Sequence, residues 1–452
     1  MKLVNCCKKP SVILAILLSS AVLSKPASSA ELVGFAMMPA NTFAEGPTSG
    51  QFAGAGAGGN VLPLVNKQPV QGISAVLYGP EASTFYVMPD NGFGSKINSA
   101  DVLLRIYAVH PNFKTWNGVE VIGSGTVSPV DFQTGIILPT FNRDSFISLH
   151  DPNHKLGFEV VAGMTFYPNG SHDIPVDPLI QSGRLLTGAD LDIESVRKDS
   201  RGHFWFGEEF GPFLVETDSS GRILSAEVKM PNLVPLGSTA NGAEVRSPQN
   251  PYLGSERPNL GRSLGFEGMA INPAGTKLYP LLEGTVDGDN AIDGSVNKIL
   301  RIGEFDITSG GYTRNQWLYK LDFAGTNIGD MTAINDHQFL VIERNGATAT
   351  DNDTPFKKIF IVDISNVESG GFVKKTELVN LMNIHDPHDL NGDGKTIFTF
   401  PFVTIESVLI LNSTTLLVIN DNNYPGSGGR NMSSDNTEFL QIRLDKPIAV
   451  NP

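Results

Sequence analysis

Pairs of acidic residues at a nearly constant spacing are the strongest chemical pattern in this sequence. The two members of each pair lie 13 to 16 residues apart, and four pairs are present: Glu194 and Glu208, Glu267 and Glu283, Asp330 and Glu343, and Glu406 and Asp421. Related segments add Asp90 upstream, Glu209 directly after Glu208, and Asn422 directly after Asp421. If the fold brings these side chains to one place, they form a cluster of oxygen ligands.

Carboxylates that crowd together either raise one another's pKa or bind a cation. Both cysteines, Cys6 and Cys7, lie at the N-terminus, so the rest of the chain offers oxygen donors and few histidines. Such a donor set selects a hard cation, and Ca2+ tolerates irregular oxygen shells best. The predicted metal ligands are Asp90, Glu194, Glu208, Glu267, Glu343, Glu406, Asp421 and Asn422. The competing interpretation is that these acids cap turns by accepting hydrogen bonds from neighbouring backbone.

The elements that position these acids are predicted to be β-hairpins. Each pair brackets two short apolar strands joined by a polar turn, and the two ends of a hairpin lie at the same edge. A third alternating strand follows in each unit, for example "NKILRIGEFDI" and "KKIFIVDI". Units of about four strands, repeated every 63 to 76 residues, are typical of propeller blades.

The sequence therefore predicts an all-β fold, a β-propeller of six four-stranded blades. The interval from Ser74 to Glu194 is long enough for two units, which places the unaligned blade at about 121–190. The last unit shows three strands, so "ELVGFAMM" near the N-terminus is expected to supply its fourth strand and close the ring. A five-bladed ring with an insertion is the alternative.

The N-terminus has the pattern of a secretory signal peptide. Lysines at positions 2, 8 and 9 precede an apolar run from Val12 to Leu23, and small residues follow up to Ala30. The apolar run is too short to span a bilayer as a helix. We expect residues 1–30 to be removed, residues 31–452 to form a single propeller domain, and the protein to be secreted or periplasmic.

The charge balance limits the class of partner. The chain has 33 basic and 47 acidic residues, and four of the lysines fall in the predicted leader. An acidic surface argues against nucleic acid and against anionic membranes as partners. A small-molecule substrate and a monomeric protein are expected.

Several separated motifs resemble one family. "PDNGFGSK", "DIESVRKDSRGHFWFGEEFGPFLVETDSSGRIL", "GFEGMAINPAGTKLYPLLEG", "IGDMTAINDHQFLVIERNG" and "LLVINDNNYP" are similar, in this order, to the phytase-like family described as having esterase-like activity of phytase. The resemblance implies a β-propeller and an exported hydrolase of phosphoesters or other esters. Propeller phytases, a looser relation, are similar in using calcium ions to hold phosphate and activate water.

The first functional hypothesis is thus a calcium-dependent phosphoester hydrolase, in which a cation and nearby basic groups neutralise the phosphoryl oxygens. The candidate catalytic residues are Glu208, Glu209, Glu267 and Arg344, and the candidate substrate-binding residues are Arg262, Arg344 and Arg430. A metal-dependent lactonase or carboxylester hydrolase and a non-catalytic ligand-binding propeller are the alternatives.

"GRSLG" around Ser263 fits the G-x-S-x-G pattern of a nucleophilic serine. That motif requires a strand before the serine and a helix after it, but here a loop precedes it and a predicted strand follows it.

Overall fold

A computed structural model describes residues 30–54, 62–168, 174–233, 243–292, 294, 298–426, 429–430 and 434–450. The predicted signal peptide lies outside the described residues except for Ala30. Strands dominate the described part, whose α-helix α1 (Pro178–Gly183) has six residues. Short 3-10 turns occur at Arg143–Ser145, Val161–Gly163 and Asp289–Ala291. In these ranges no helix has the length and apolar character needed to cross a bilayer.

The strands are short and follow one another closely along the chain. The first ten are β1 (Glu31–Met38), β2 (Phe43–Glu45), β3 (Lys67–Pro69), β4 (Ile73–Tyr78), β5 (Phe85–Pro89), β6 (Arg105–Asn112), β7 (Thr115–Trp116), β8 (Val121–Ile122), β9 (Thr126–Pro129) and β10 (Phe146–Ser148). The middle eight are β11 (Ile193–Lys198), β12 (Phe204–Glu208), β13 (Phe213–Thr217), β14 (Val228–Lys229), β15 (Phe266–Ile271), β16 (Lys277–Leu282), β17 (Ile299–Asp306) and β18 (Gly311–Lys320). The remainder are β19 (Thr326–Ala333), β20 (Gln338–Asn345), β21 (Lys357–Asp363), β22 (Lys374–Asn380), β23 (Ile384–His385), β24 (Ile397–Phe398), β25 (Ile405–Asn412), β26 (Thr415–Asn420) and β27 (Thr437–Arg443).

These strands form four-stranded arrays whose first strands surround one axis. Three arrays are separate sheets with the orders β11-β12-β13-β14, β15-β16-β17-β18 and β19-β20-β21-β22. Two more, β4-β5-β6-β9 and β25-β26-β27-β1, belong to one larger sheet. The first strands contact one another in the cyclic order β4, β11, β15, β19, β25 and back to β4. The described residues are therefore all-β in a propeller-like arrangement.

The N-terminal strand pairs with the last strand. β1 is antiparallel to β27, with a register that runs from Glu31 opposite Arg443 to Met38 opposite Thr437. On its other side, β1 pairs with β9 at a single position, Met37 with Thr126. β1 thus lies fourth in the array that starts with β25.

The further four-stranded unit predicted at about 121–190 does not form within the described part of that interval. Its strands β9 and β10 both pair with β6, and β8 pairs with β7. Loops and α1 make up most of the rest. The interval was long enough for a blade, but its strands extend the array of β4, β5 and β6 because they are too short to build a sheet alone. Five first strands, rather than the six predicted, surround the axis in the residues described.

Close packing of the first strands depends on small residues. A β-carbon added at Gly329 of β19 would lie 2.1 Å from the carbonyl oxygen of Ile405 in β25. No real side chain tolerates that distance, so glycine lets these neighbouring arrays approach at this point. The apolar core lies between adjacent arrays, where for example the rings of Tyr279 and Phe339 are 4.8 Å apart.

Candidate functional site

A β-bulge recurs at the same place in every first strand. The register with the second strand shifts between Ile193 and Ser195, between Phe266 and Gly268, and between Ile405 and Ser407. The residues in the bulges are Glu194, Glu267 and Glu406. A bulge re-aims a side chain that would otherwise alternate across the sheet. Here it presents an acid at the axis.

The other two first strands carry the same irregularity with different residues. In β4 the bulge holds Ser74, whose hydroxyl donates to Glu406 Oε2 at 3.2 Å. In β19 the shift spans Gly329 and Asp330. The second strands end at the same edge, where they deliver Asp90, Glu208, Glu209, Glu283 and Asp421.

We call the carboxylates that interact at this edge the acid cluster. Its members are Asp90, Asp192, Glu194, Glu208, Glu209, Glu267, Glu283, Glu406 and Asp421. Asp90 is partly exposed, and the others are all less than 9% exposed. Burial of so many carboxylates is unfavourable unless they are protonated or paired with positive charge.

Glu208 and Glu209 are adjacent in sequence but have different surroundings. Glu208 Oε2 accepts from the Phe210 N–H at 2.8 Å, and Glu208 Oε1 accepts from the Gly211 N–H at 2.6 Å. Glu209 is 5% exposed, and its Oε1 has no hydrogen-bond partner among the described residues. Glu208 therefore holds the turn after β12, whereas Glu209 offers an unpaired oxygen to the cluster.

Arg344 supplies the buried positive charge. Its guanidinium lies 2.9 Å from Glu406, 3.2 Å from Glu267 and 3.6 Å from Glu283. These three carboxylates raise the pKa of Arg344 above its ordinary value despite its burial. One guanidinium can balance only part of the cluster, so the remaining carboxylates need protons or a further cation.

The carboxylate geometry fits such a cation. One oxygen from each of Asp192, Glu194 and Glu209 lie within 4.8 Å of one another, and the same holds for Glu209, Glu267 and Glu283. Ca2+ binds oxygen at about 2.3–2.6 Å, so two ligands of one ion lie at most about 5 Å apart. Glu209 belongs to both groups and carries the unpaired oxygen. The predicted ligands Glu194 and Glu267 each fall in one of these groups.

Without a bound cation, ionisation of these buried carboxylates is unfavourable, and the pKa values of several of them are raised accordingly. Burial raises the pKa of Glu208 to about 7, and neighbouring backbone N–H groups oppose the shift. Burial also raises the pKa of Asp90 and of Glu283 to about 7. Burial and nearby carboxylates hold the pKa of Glu209 well above its ordinary value. Bound positive charge would favour the ionised forms.

Asp421 and Glu406 lie on the β25–β26 side of the cluster. Asp421 accepts from the Asn423 N–H at 2.6 Å and from the Thr404 hydroxyl at 3.3 Å. Asp421 and Asp90 both flank Gly72: a β-carbon there would lie 3.4 Å and 3.0 Å from them, respectively. The structure thus brings these predicted ligands from different arrays to one edge.

Two acids of the repeat, Glu343 and Asp330, have partners outside the acid cluster. Glu343 is fully buried and accepts from the Tyr319 hydroxyl, the Asp322 N–H, the Thr326 hydroxyl and the Lys375 ammonium. Asp330 pairs with Arg197 at 2.6 Å. The Asp322 N–H contact fits the competing interpretation of backbone capping, whereas the other contacts named here are to side chains, which that interpretation did not include.

Asn422, predicted as a ligand, also connects loops. Its amide nitrogen donates to Gln71 Oε1 at 2.6 Å and to the Asp435 carbonyl at 2.8 Å. Its side-chain oxygen accepts from the Gly72 N–H at 3.2 Å. Each polar atom of this side chain therefore has a protein partner.

Of the three predicted substrate-binding arginines, only Arg344 contacts the acid cluster. Arg430 forms a two-point ion pair with Glu438 and donates to the Thr399 carbonyl. Arg262 is exposed in the turn before β15. Ser263 exchanges hydrogen bonds with Gln249 and is followed by β15 rather than by a helix, so the nucleophile motif lacks its required context.

Sequence reasoning missed two residues. Asp192 joins a three-carboxylate group, and its carbonyl accepts from the Glu209 N–H at 2.9 Å. Asp192 lies two residues before the repeated acid Glu194. The other units have no acid at this position, so the repeat gave no signal for it.

Lys96 lies beside the cluster, where Asp190, Glu208 and Asp192 attract its charge. Its signal in the sequence was its place as the last residue of the "PDNGFGSK" motif, which begins beside Asp90.

Known proteins resemble this chain in sequence or in structure. An "Uncharacterized secreted protein" of Arthroderma benhamiae is 28% identical over 140 residues, which are 30% of this chain and 27% of that protein. The chain thus matches little more than a quarter of that relative's length. The periplasmic gluconolactonase PpgL of Pseudomonas aeruginosa is similar in structure, with 12% identity, a TM-score of 0.34, and coverage of 91% of this chain and 99% of that chain. The calcium-binding protein regucalcin of Agrobacterium tumefaciens gives 8% identity and a TM-score of 0.34, with coverage of 84% and 91%.

The sequence profile of the phytase-like family, described as "Esterase-like activity of phytase", matches residues 68–424. The matched range contains every member of the acid cluster and Arg344. It also covers the motifs on which the resemblance depends, from "PDNGFGSK" to all but the last residue of "LLVINDNNYP". The chain belongs to the phytase-like, esterase-like family.

Proposed function

We propose that this protein is a cation-dependent hydrolase of phosphate esters, with its site at the acid cluster. The observation that carries the proposal is the unpaired oxygen of Glu209, which is shared by two groups of three buried carboxylates. Such an arrangement is stable at neutral pH when a cation occupies it. The family description, which names phytase and esterase activity, supports a hydrolase.

Asp192, Glu194, Glu209, Glu267 and Glu283 would hold the cation, and Ca2+ suits their oxygen donors. Bound there, the cation would act as a Lewis acid and neutralise negative charge on the phosphoryl oxygens. Arg344 fixes Glu267, Glu283 and Glu406 in place, since it contacts all three. In this role Arg344 positions the ligands, and its charge is already shared among carboxylates.

Asp90 is the proposed proton-transfer group. Burial raises its pKa to about 7 without a cation, and bound positive charge would favour the ionised form, so Asp90 would accept a proton as a general base. One of its oxygens accepts from the Gly92 N–H at 2.8 Å, and the side chain is partly exposed. Glu208 has a similar pKa, but both of its oxygens already accept backbone N–H groups. Asp90 is therefore better placed to meet a substrate.

We further propose that the five arrays are the blades of one propeller domain and that β1 supplies the fourth strand of its last blade. The protein would be exported, as the predicted leader at residues 1–30 indicates. The Arthroderma benhamiae relative is described as secreted, which agrees with export.

The proposal is tested by hydrolysis of p-nitrophenyl phosphate, bis-p-nitrophenyl phosphate, phytate and p-nitrophenyl acetate, in calcium and in chelator. We expect calcium-dependent release of phosphate, reduced on the order of 100-fold or more in Glu209→Gln, because the ligand shared by both groups is lost. Glu120→Gln makes the same change at an exposed turn and should be unaffected.

Two results would contradict the proposal. Hydrolysis of the acetate alone, in calcium, would instead favour the carboxylester hydrolase. Absence of turnover on all four substrates, with Ca2+ bound at the cluster, would favour a ligand-binding propeller.

A further inference from the structure

Lys96 lies in an ordered loop between β5 and β6 that begins in the acid cluster. Asp90 starts the loop, and Asn91 Oδ1 accepts from the Gly94 N–H at 3.2 Å. The Ser99 hydroxyl accepts from the Phe93 N–H at 3.0 Å, and the Ser99 N–H donates to the Ser95 carbonyl at 3.0 Å. These bonds fix the backbone on both sides of Lys96.

The Lys96 side chain reaches towards the cluster without an ion-pair partner. Its ammonium lies 5.0 Å from the centre of the Phe210 ring, and the Phe210 N–H donates to Glu208. Glu208, Asp192 and Asp190 attract this charge from a distance. With the described residues, however, Nζ makes no hydrogen bond and no ion pair.

Three other basic groups near the axis are already engaged in ion pairs, and Lys298 acts on a different part of the cluster, where its charge lowers the pKa of Glu283. Arg344 contacts three carboxylates, Arg197 pairs with Asp330, and Lys375 pairs with Glu343 and Asp322. Lys96 is half-buried, and burial lowers its pKa. Its ammonium therefore has lost part of its hydration without gaining a direct anionic partner, and an anion from solution would supply one.

We propose that Lys96 binds the anionic group of the substrate at the edge of the acid cluster and thereby selects phosphomonoesters over neutral esters. The inference rests on the proposed function, because it places the substrate beside the same carboxylates. A site lined by carboxylates repels a phosphate dianion, so phosphate binding needs positive charge from both the cation and the protein. Among the described residues near Glu208, Lys96 places an uncommitted charge at this position.

The test compares Lys96→Gln and Lys96→Arg with the native protein, and Lys155→Gln serves as the matched control. Lys155 is exposed and lies outside the cluster, so it controls for the loss of one positive charge. The first readout is the Kd of inorganic phosphate, measured by titration calorimetry in saturating Ca2+, with the Kd of Ca2+ measured in parallel. The second is KM and kcat for p-nitrophenyl phosphate and p-nitrophenyl acetate.

We expect Lys96→Gln to weaken phosphate binding and raise the KM of the phosphate ester by about tenfold or more, because a charge-assisted hydrogen bond is lost. Lys96→Arg should recover most of that loss. The affinity for Ca2+ and the KM of the neutral acetate should change less than about twofold, and Lys155→Gln should resemble the native protein.

The two proposals fail in different ways. If the native protein hydrolyses the phosphate ester but Lys96→Gln leaves its KM and the phosphate Kd unchanged, the inference about Lys96 is overturned and the proposed function stands. If no ester is turned over but phosphate binding depends on Lys96, the hydrolase proposal fails and the anion site is supported.

Discussion

Raising the pH from 5 to 7 in the presence of a chelator should destabilise this protein, contrary to the usual behaviour of paired carboxylates. Burial raises the pKa of Asp90, Glu208 and Glu283 to about 7, whereas the same carboxyls in an unfolded chain titrate near 4 to 4.5. Between these values the folded state binds protons that the unfolded state has released. The free energy of unfolding therefore falls as the pH rises.

The magnitude follows from Glu208, whose pKa moves from 4.5 to about 7. Each pKa unit corresponds to about 1.36 kcal/mol, and linkage then gives a loss of roughly 2 kcal/mol between pH 5 and 7 for this one group. For residues 31–452, the predicted mature chain, the entropy of unfolding is about 0.9 kcal/mol per degree, so Tm should fall by about 2–3 °C per group. Asp90 and Glu283 act in the same direction.

Three buried carboxyls outside the acid cluster titrate in the same pH window and act in the same direction, since burial raises the pKa of Asp101, Asp190 and Asp330 to about 6. Hydrogen bonds lower the pKa of partly exposed carboxyls such as Asp131 and Asp306, so they titrate below pH 5. Lys357 is fully buried and its pKa is lowered to about 7. That lysine adds stability as the pH rises, but only above about pH 7.

The assay is differential scanning calorimetry from pH 5 to 7 in chelator and in Ca2+. The cation competes with protons for the carboxylates, so Ca2+ should raise Tm more at pH 7 than at pH 5. Asp90→Asn keeps an oxygen for the Gly92 N–H and should flatten the slope in chelator. A Tm in chelator that stays constant or rises over this range would refute the reasoning, since it would mean that the buried carboxyls take up no extra protons.

Three other predictions follow from the packing of the site. Arg344→Gln should lower stability by about 3–5 kcal/mol in chelator, since it leaves three buried carboxylates without their cation; thermal unfolding should show Arg344→Lys to be less damaging, and equal losses would contradict a charge-based role. Gly329→Ala should lower Tm, because the new methyl group would meet the Ile405 carbonyl, whereas Gly346→Ala, with no atom within 4 Å, should not; equal Tm values for the two variants would contradict this packing. Ser263→Ala should leave p-nitrophenyl acetate hydrolysis unchanged, and a loss of that activity would restore Ser263 as a nucleophile.

The repeat in the sequence was enough to place most acids at one edge. Hairpin spacing predicted that Glu194, Glu208, Glu267, Glu283 and Asp421 would meet, because both ends of a hairpin reach the same side. It did not separate Glu208, which accepts two backbone N–H groups, from Glu209, which is left with an unpaired oxygen. That difference depends on the path of the turn after β12, and two adjacent glutamates have no sequence signal for it.

Long-range partners account for the other differences. Glu343 fits the repeat, but Lys375 and Tyr319, from other strands, already occupy its oxygens. Lys375 is more than 30 residues away in sequence, and nothing in the spacing of the acids points to it. The blade predicted at 121–190 rests on the length of that interval alone, and length does not distinguish a separate sheet from short strands and loops that extend a neighbouring sheet.

The pairing of β1 with β27 has a consequence for the order of folding. Strand 31–38 remains without this partner until strand 437–443 has been synthesised, and the ion pair of Glu31 with Arg443 joins residues 412 apart. Contacts of such sequence separation form slowly, because a very long loop must close first. An early folding chain therefore carries two complementary strand edges that can meet either each other or those of a second chain. Dilution should favour correct folding more in this protein than in one whose sheets are all built from neighbouring segments.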